Sequence, residues 1–255
     1  MGRLDGKVAL ISAAAGAGLG QAIARRLCQE GAQVVVTDAH ARRTAETAQR
    51  LSEEFDREVM GVKLDVRSQQ DIDACMAAVL ARHGRVDLLI NNAGINKTSN
   101  VWEMDDETWS ATIDVCLSGT FRLSRAVLPS MMAQKSGVII NISSIGGWQS
   151  NLGGPGQAAY AAAKAGVMAL TRATAAEVGA HGVRVNAIAP GLIHNEFLAR
   201  SYDQAWLDAK ARETVVGRMG HSDDVSGLAI FLASDEASFI TGEVICVSGG
   251  WYMHP

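Results

Sequence analysis

The sequence predicts a doubly wound α/β fold: a parallel sheet of about seven strands with helices on both faces. Two observations carry this. Short β-branched runs alternate with longer amphipathic patterns from one end of the chain to the other, the rhythm of repeated βαβ units. Most of the short runs are continuously apolar rather than alternating, as suits strands covered on both faces. In chain order the strand candidates are Val8–Ser12, Gln33–Thr37, Val59–Leu64, Val86–Asn91, Gly137–Ser143, Val183–Ala189 and Glu243–Val247.

The helical patterns between them carry their own punctuation. Leu19, Ile23 and Leu27 recur every fourth residue before the stop signal Gly31, which places one apolar stripe on the first helix. Ser68 is expected to cap a helix carrying Ile72, Met76, Val79 and Leu80 that ends at Gly84. Ser222, followed by Asp223 and Asp224, is expected to open another, with acids at the positive end of the helix dipole. No linker, low-complexity tract or internal repeat interrupts the pattern, so residues 1–255 are expected to form one domain.

Composition narrows the function classes. The chain has 255 residues, is 48% hydrophobic and carries a net charge of −4. A nucleic-acid-binding role lacks its basic footprint. No apolar run approaches the ~18 residues of a membrane span, and the first residues lack the apolar core of a secretion signal. The four cysteines, Cys28, Cys75, Cys116 and Cys246, are widely spread, with neither a CxxC pair nor a Cys/His cluster. No metal site or disulfide framework is therefore expected, and the location expected is the reducing cytoplasm.

The first strand ends in Ser12-Ala13-Ala14-Ala15-Gly16-Ala17-Gly18-Leu19-Gly20 and runs straight into a helix. Small residues there let backbone N–H groups approach a pyrophosphate, whose charge the helix N-terminus stabilises. An acid, Asp38, closes the second strand. In that context the glycines of the turn (Gly16 and Gly18, with Leu19 at the helix start) are read as a dinucleotide site, and the sheet as one of Rossmann type. A carboxylate at Asp38 accepts hydrogen bonds from ribose hydroxyls and repels a 2′-phosphate. Arg42 and Arg43, at the start of the next helix, are placed on its solvated face. The cofactor expected is NAD, with NADP the lesser alternative.

Tyr160 and Lys164 stand four residues apart in a long helical pattern, hence on one face. A free phenol is scarcely ionised at neutral pH, and a neighbouring ammonium stabilises the phenolate by Coulomb attraction. Such a pair supplies a general base for an alcohol or a general acid for a ketone. Read alone, the spacing also fits an ordinary amphipathic helix. Its company decides: Asn91-Asn92-Ala93-Gly94 ends the fourth strand, Asn141-Ile142-Ser143-Ser144 the fifth, and Pro190-Gly191 follows the sixth, all at the sheet edge where such folds bind ligands.

These motifs, with Leu64-Asp65-Val66 and the ending Ser238–Gly250, make the chain resemble the short-chain dehydrogenase/reductase family over nearly its whole length. The oxoacyl reductases and the hydroxyacyl-CoA or steroid-type dehydrogenases are most similar in character. The resemblance implies that Tyr160 exchanges the substrate proton, that Lys164 supports it and holds the nicotinamide ribose, and that Ser144 polarises the substrate oxygen while Ser143 is structural. It also implies that Asp65 bonds the adenine with Val66 beside the ring. Asn92, Ala93 and Gly94 would line the ribose, and Pro190, Gly191 and Ile193 the nicotinamide. A homotetramer is implied as well, paired through the helical regions 101–132 and 160–178.

Three departures from the family pattern stand out. Alanine (Ala13 or Ala14, according to alignment) replaces the first glycine of the turn, so a rearranged phosphate loop is expected. Cys116 replaces an Asn that holds a water in the family's proton relay; a buried structural thiol is expected, with any relay running through another water or a backbone carbonyl. Asn195 stands where a Thr often bonds the nicotinamide amide.

The substrate is expected to be a small, apolar alcohol or ketone. Its entrance would be formed by a loop at 144–160, which contains Trp148 and the additional stretch 150–154, and by a lid at about 194–217. The lid carries His194, Phe197, Tyr202 and Trp206, and Trp102 points the same way. Trp148, His194 and Asn195 are the substrate-contact candidates. Two alternatives stay open. One is an NADP-dependent 3-oxoacyl reductase acting on carrier or CoA esters, although the carrier-docking arginines of that group correspond to Lys135 and His181. The other is a non-catalytic NAD-binding sensor or scaffold on the same fold.

Overall fold

The computed structural model describes residues 2–149, 155–194 and 203–253. Seven strands form one parallel sheet in the order β3-β2-β1-β4-β5-β6-β7: β1 Val8–Ile11, β2 Gln33–Asp38, β3 Met60–Lys63, β4 Leu88–Asn91, β5 Gly137–Ile142, β6 Val183–Pro190 and β7 Val244–Val247. The helices between them are α1 Leu19–Gln29, α2 Ala41–Phe55, α3 Gln69–His83, α4 Asp106–Ile113, α5 Gly119–Gln134, α6 Ala158–Val178, α7 Gln204–Glu213 and α8 Ser222–Ala233. A wide π-helical turn, Asp114–Ser118, joins α4 to α5.

The continuous apolar runs have the expected cause. Ala9, Ile11, Val34, Val36, Ile90 and Ile140 face one side of the sheet, against Ile23 and Leu27 of α1 and Val225 and Ile230 of α8. Their neighbours Leu10, Val35, Leu89 and Ile139 face the other, against Val79 of α3, Leu123 and Val127 of α5 and Val178 of α6. Because side chains alternate across a strand, two hydrophobic layers require both phases to be apolar. The edge strand β3 is the exception, with alternating exposure. It is also shorter than the sequence predicts, because the Val59 N–H donates to the Ser52 hydroxyl of α2 (2.9 Å) rather than to the ladder.

Ser68 caps α3, accepting from the Asp71 N–H at 3.1 Å, and the helix stops at Gly84 in the left-handed region. Ser222 opens α8 as expected, with Asp223 and Asp224 in its first turn. His221 is the N-cap, and the Asp224 carboxylate accepts from its backbone N–H at 2.7 Å. Arg218, clamped on the same carboxylate, and that backbone bond hold Asp224 down to a pKa of about 2. Among the described residues, no helix is long and apolar enough to cross a membrane.

The chain leaves β3 at one edge and re-enters beside β1 as β4. At that switch point the flanking loops diverge, leaving a crevice at the carboxyl ends of the strands.

Candidate active site

The crevice floor is built by hydrogen bonds between the ends of β1 and β4. The Ser12 hydroxyl accepts from the backbone N–H groups of Asn92 (2.9 Å) and Ala93 (3.0 Å). The Asn92 amide donates to the carbonyls of Ser12 (3.1 Å) and Ala13 (3.0 Å). Gly20 makes this possible, since a Cβ there would fall 2.4 Å from the Asn92 amide nitrogen and 2.7 Å from the Ala13 carbonyl. Asn92 therefore braces the turn through its side chain. Gly16 and Gly18 face open space, and α1 begins without a side-chain cap. The first N–H groups of α1 thus have no capping side chain, and the approach to them is clear, as a bound diphosphate requires.

Ala13 takes φ +51°, a region glycine favours, which supports the alignment that puts Ser12-Ala13 at the strand end. Alanine thus sits in a left-handed backbone that glycine adopts more readily. That conformation costs a non-glycine residue ~1–2 kcal/mol, and glycine returns ~0.5–1 kcal/mol of that in unfolded-state entropy. Ala13→Gly is accordingly expected to stabilise the protein by ~0.5–1 kcal/mol, read as a higher urea midpoint at unchanged slope.

Asp38, at the end of β2, is buried and accepts from the His40 N–H at 3.0 Å. Arg42 lies in solvent beside Glu46, and Arg43 is half exposed as well. From that solvated face the Arg43 guanidinium nevertheless turns back to the Asp38 carboxylate at 3.2 Å. The five-residue separation let the long side chain fold back over the start of α2. One strand along, Asp65 is held by Arg67 through both carboxylate oxygens (2.7–3.2 Å), which keeps its carboxyl below the usual range. Val66 lies against Gly119, where a Cβ would come within 2.6 Å of it.

At the other end of the crevice, β5 delivers two serines with different fates. The Ser143 hydroxyl is buried and donates to the Lys164 carbonyl at 2.8 Å, pinning the strand end to α6. The Ser144 hydroxyl accepts from the Gly146 N–H at 3.0 Å. A Cβ built on Gly146 would lie 3.4 Å from the Ser144 oxygen and 3.7 Å from Tyr160 Cε1, so the hydroxyl and the phenol ring flank the same small residue. The Lys164 ammonium is buried, donates to the Ile142 carbonyl at 2.7 Å, and lies 5.5 Å from the centre of the Tyr160 ring.

Beneath them runs a buried polar chain whose role the sequence did not disclose. The Asn91 amide donates to the Ser124 hydroxyl (3.0 Å) and to Asn141 Oδ1 (2.8 Å), and the Asn141 amide donates to Thr171 (2.9 Å). It ties β4, β5, α5 and α6 together through side-chain hydrogen bonds, although Asn91 Oδ1 is itself buried without a partner among the described residues.

Cys116 is fully buried in the π-helical turn. Its thiol accepts from the Ile95 N–H and faces the Ile95 carbonyl as donor, both at 3.3 Å. Across Gly94, whose built Cβ would lie 3.6 Å from Lys164 Nζ and 3.8 Å from Cys116 Sγ, the thiol neighbours the ammonium. An amide has the same donor and acceptor capacity in stronger form. Cys116→Asn is therefore expected to preserve the Ile95 contacts and leave the solvent-isotope effect on turnover unchanged. A large gain in rate would instead mean that the thiol impairs proton exchange at Lys164.

These side chains open onto a cavity of about 650 Å³ lined by Leu19, Asn92, Gly94, Ser144, Tyr160, Lys164, Pro190, Gly191 and Ile193 among the predicted residues. Ile193 is fixed by a bridge to Gly220. Gly16, Gly18, Asp38, Asp65, Val66 and Ala93 lie outside that lining, along the crevice towards the other edge of the sheet. Of the substrate candidates, Trp148 is not in the lining, because it stacks on Tyr252 at 5.3 Å. His194 is exposed, its ring 6.5 Å from that of His221. Asn195, Phe197, Tyr202 and the stretch 150–154 lie outside the described residues. Trp102 projects into solvent. Trp206 does line the cavity, and so does Trp251, which sequence patterning passed over because it follows the last strand.

The geometry suits a nicotinamide dinucleotide: an open glycine turn at a helix start, a buried acid after β2, and a Ser–Tyr–Lys group at the far end. Comparisons with known proteins agree. Residues 13–252 match the family model described as enoyl-(acyl carrier protein) reductase. The chain is 44% identical to the (5R,7aS)-5-hydroxy-7a-methyl-1-oxo-2,3,5,6,7,7a-hexahydro-1H-indene-carboxyl-CoA reductase of Mycobacterium tuberculosis, over 97% of this chain and 94% of that one. It is 40% identical to the 3-oxoacyl-(acyl-carrier-protein) reductase FabG of Vibrio cholerae, over 98% and 99%. A crystal structure described as a short-chain dehydrogenase/reductase from Burkholderia xenovorans superposes with a TM-score of 0.91 at 36% identity, covering 98% of both chains. The chain belongs to the short-chain dehydrogenase/reductase family, and it is an oxidoreductase acting on CH–OH and ketone groups.

Proposed function

We propose that the protein exchanges hydride between NAD(H) and a secondary alcohol or ketone with an apolar framework, using Tyr160 as the proton donor and acceptor. The carrying observation is the convergence of Ser144, Tyr160 and the buried Lys164 on one cavity. A bound nicotinamide supplies or takes up the hydride. Tyr160 moves the proton to or from the substrate oxygen, and Ser144 holds that oxygen in line. The Lys164 ammonium, anchored on the Ile142 carbonyl, stabilises the phenolate that results. Asp38 supports NAD over NADP by occupying the position a 2′-phosphate would need.

In this reading the whole chain is one cofactor-binding domain, active in the cytoplasm on a small molecule, with the 194–217 segment as lid. It assembles as a homotetramer. The part-exposed apolar side chains Trp109 of α4 and Phe121 of α5 support pairing through that region, and light scattering on the eluting protein checks it.

A second reading, an NADP-dependent 3-oxoacyl reductase, draws support from the named relatives and from Arg43, a cation beside Asp38. One assay separates them. Ketones and secondary alcohols, offered free and as CoA thioesters, are followed by the near-ultraviolet absorbance of the reduced cofactor. Turnover with NADH well above that with NADPH is expected; the reverse preference favours the second reading. A silent panel, with biological activity surviving Tyr160→Phe, favours the sensor.

A further inference from the structure

The chain does not end with β7. Ser248-Gly249-Gly250 turns the chain and brings Trp251 to the wall of the cavity. Gly249 and Gly250 take φ +62° and +78°, and a Cβ on them would come within 2.8 Å of Val216 and Val215 respectively. Both the backbone conformation and the close approach demand glycine. The turn is then tied on three sides. The Val216 N–H donates to the Gly249 carbonyl (3.1 Å) and the Trp251 N–H to the Ser248 carbonyl (3.1 Å). The Ser248 hydroxyl donates to the Tyr252 carbonyl at 3.1 Å, and the Tyr252 ring stacks on Trp148.

Trp251 is positioned within this frame by α7. Its indole N–H donates to Glu213 at 3.2 Å. The Lys210 ammonium pairs with Glu213 at 2.7 Å and lies over both indoles, 5.7 Å from Trp251 and 5.8 Å from Trp206. Those two indoles are the largest side chains lining the cavity among the described residues, and Ile95, Ile145 and Leu192 share the lining. Lys164 is the lining residue there that bears a formal charge, and it is anchored on Ile142. Asn96 and Gln157 also line the cavity, so the substrate end is aromatic and largely apolar with uncharged polar groups, and the Lys210 charge is directed to Glu213.

We propose that Trp251 is a specificity-determining residue: with Trp206 it forms an indole wall that seats an uncharged, ring-bearing part of the substrate. The inference rests on the oxidoreductase reading of this cavity and adds the chemical class that the cavity takes. A flat apolar ring fits such a wall because offset and edge-to-face ring contacts add to simple burial. The fixed tail removes the ordering cost of forming the wall on binding.

The test compares wild type with Trp251→Ala and Trp251→Phe on a phenyl- or cyclohexyl-bearing ketone and on a short open-chain ketone. Trp251→Ala is expected to raise KM for the ring ketone ~10–100-fold at nearly unchanged kcat. It should shift kcat/KM for the short ketone by less than ~3-fold, while Trp251→Phe recovers most of the loss. An equal fall on both ketones, or none on the ring ketone, overturns the proposal. Calorimetric binding of the ring ketone to the NADH complexes of Tyr160→Phe and Tyr160→Phe/Trp251→Ala adds a readout independent of turnover. Binding that needs Trp251 in a protein that reduces no ketone would retain the wall and reject the reaction. Turnover of the ring ketone that ignores Trp251 would retain the reaction and reject the wall, as would failure of the ring ketone to bind either complex.

Discussion

Tyr160→Phe is expected to lower kcat by ~10²–10⁴-fold, the usual worth of a positioned general acid–base, while NADH affinity and thermal stability stay near wild type. The substitution removes one oxygen and keeps the ring beside Gly146 and under the Lys164 ammonium. Among the described residues, the two groups beside that oxygen do not replace it. Ser144 accepts from the Gly146 N–H and orients rather than titrates, and Lys164 is anchored on the Ile142 carbonyl. Because the loss falls on a transition-state interaction, it belongs in kcat and not in KM. Steady-state kinetics with a reactive ketone, with NADH fluorescence as the binding control, measures both. A variant within threefold of wild type would remove Tyr160 from the chemistry.

Replacing Asp38 with Ser is expected to move the preference between NADPH and NADH by about 100-fold, or ~3 kcal/mol, toward the phosphorylated cofactor. Two effects add. The buried carboxylate that repels a 2′-phosphate is removed, and Arg43, now paired with it at 3.2 Å, is released beside the same position. Arginine suits phosphate because its fork of donors matches the oxygens. Asp38→Ser/Arg43→Ala should lose most of the gain in NADPH affinity while keeping the loss for NADH, and titration of each cofactor by fluorescence separates the two contributions. If Asp38→Ser weakened both cofactors alike, Asp38 would be a structural brace for α2 rather than the selector.

Legibility in the sequence followed the range of the interactions. Strands were readable because both faces of the sheet are buried, so Leu10 and Ile11 are both apolar while pointing opposite ways. Helix limits set by a local cap, such as Ser68 and Gly84, were readable too. At α8 the start at Ser222 was readable from Asp223 and Asp224, whereas His221 as the residue capping it, tied through Asp224, was not. In the site, spacing brought Tyr160 and Lys164 together, since four residues along a helix are one turn. The contacts that spacing concealed join distant segments. Cys116 clamps Ile95, and Trp251 meets Lys210 and Glu213 only after the glycine turn reverses the chain. The backbone at Ala13 was concealed for a different reason. Alanine disfavours a left-handed backbone, but the Asn92 amide, donating to the Ala13 carbonyl, helps to hold that conformation against its preference.

The central claim is that this cavity passes hydride directly between nicotinamide and a carbon bearing oxygen while Tyr160 handles the proton. The direct measurement is the fate of deuterium when a ketone is reduced with NADH deuterated on the transferring face of nicotinamide C4. The account predicts deuterium on the carbinol carbon of a single enantiomer of the alcohol, with the hydroxyl proton drawn from solvent and the label transfer suppressed in Tyr160→Phe. Alcohol formed without deuterium at carbon, or labelled equally well by Tyr160→Phe, would contradict it.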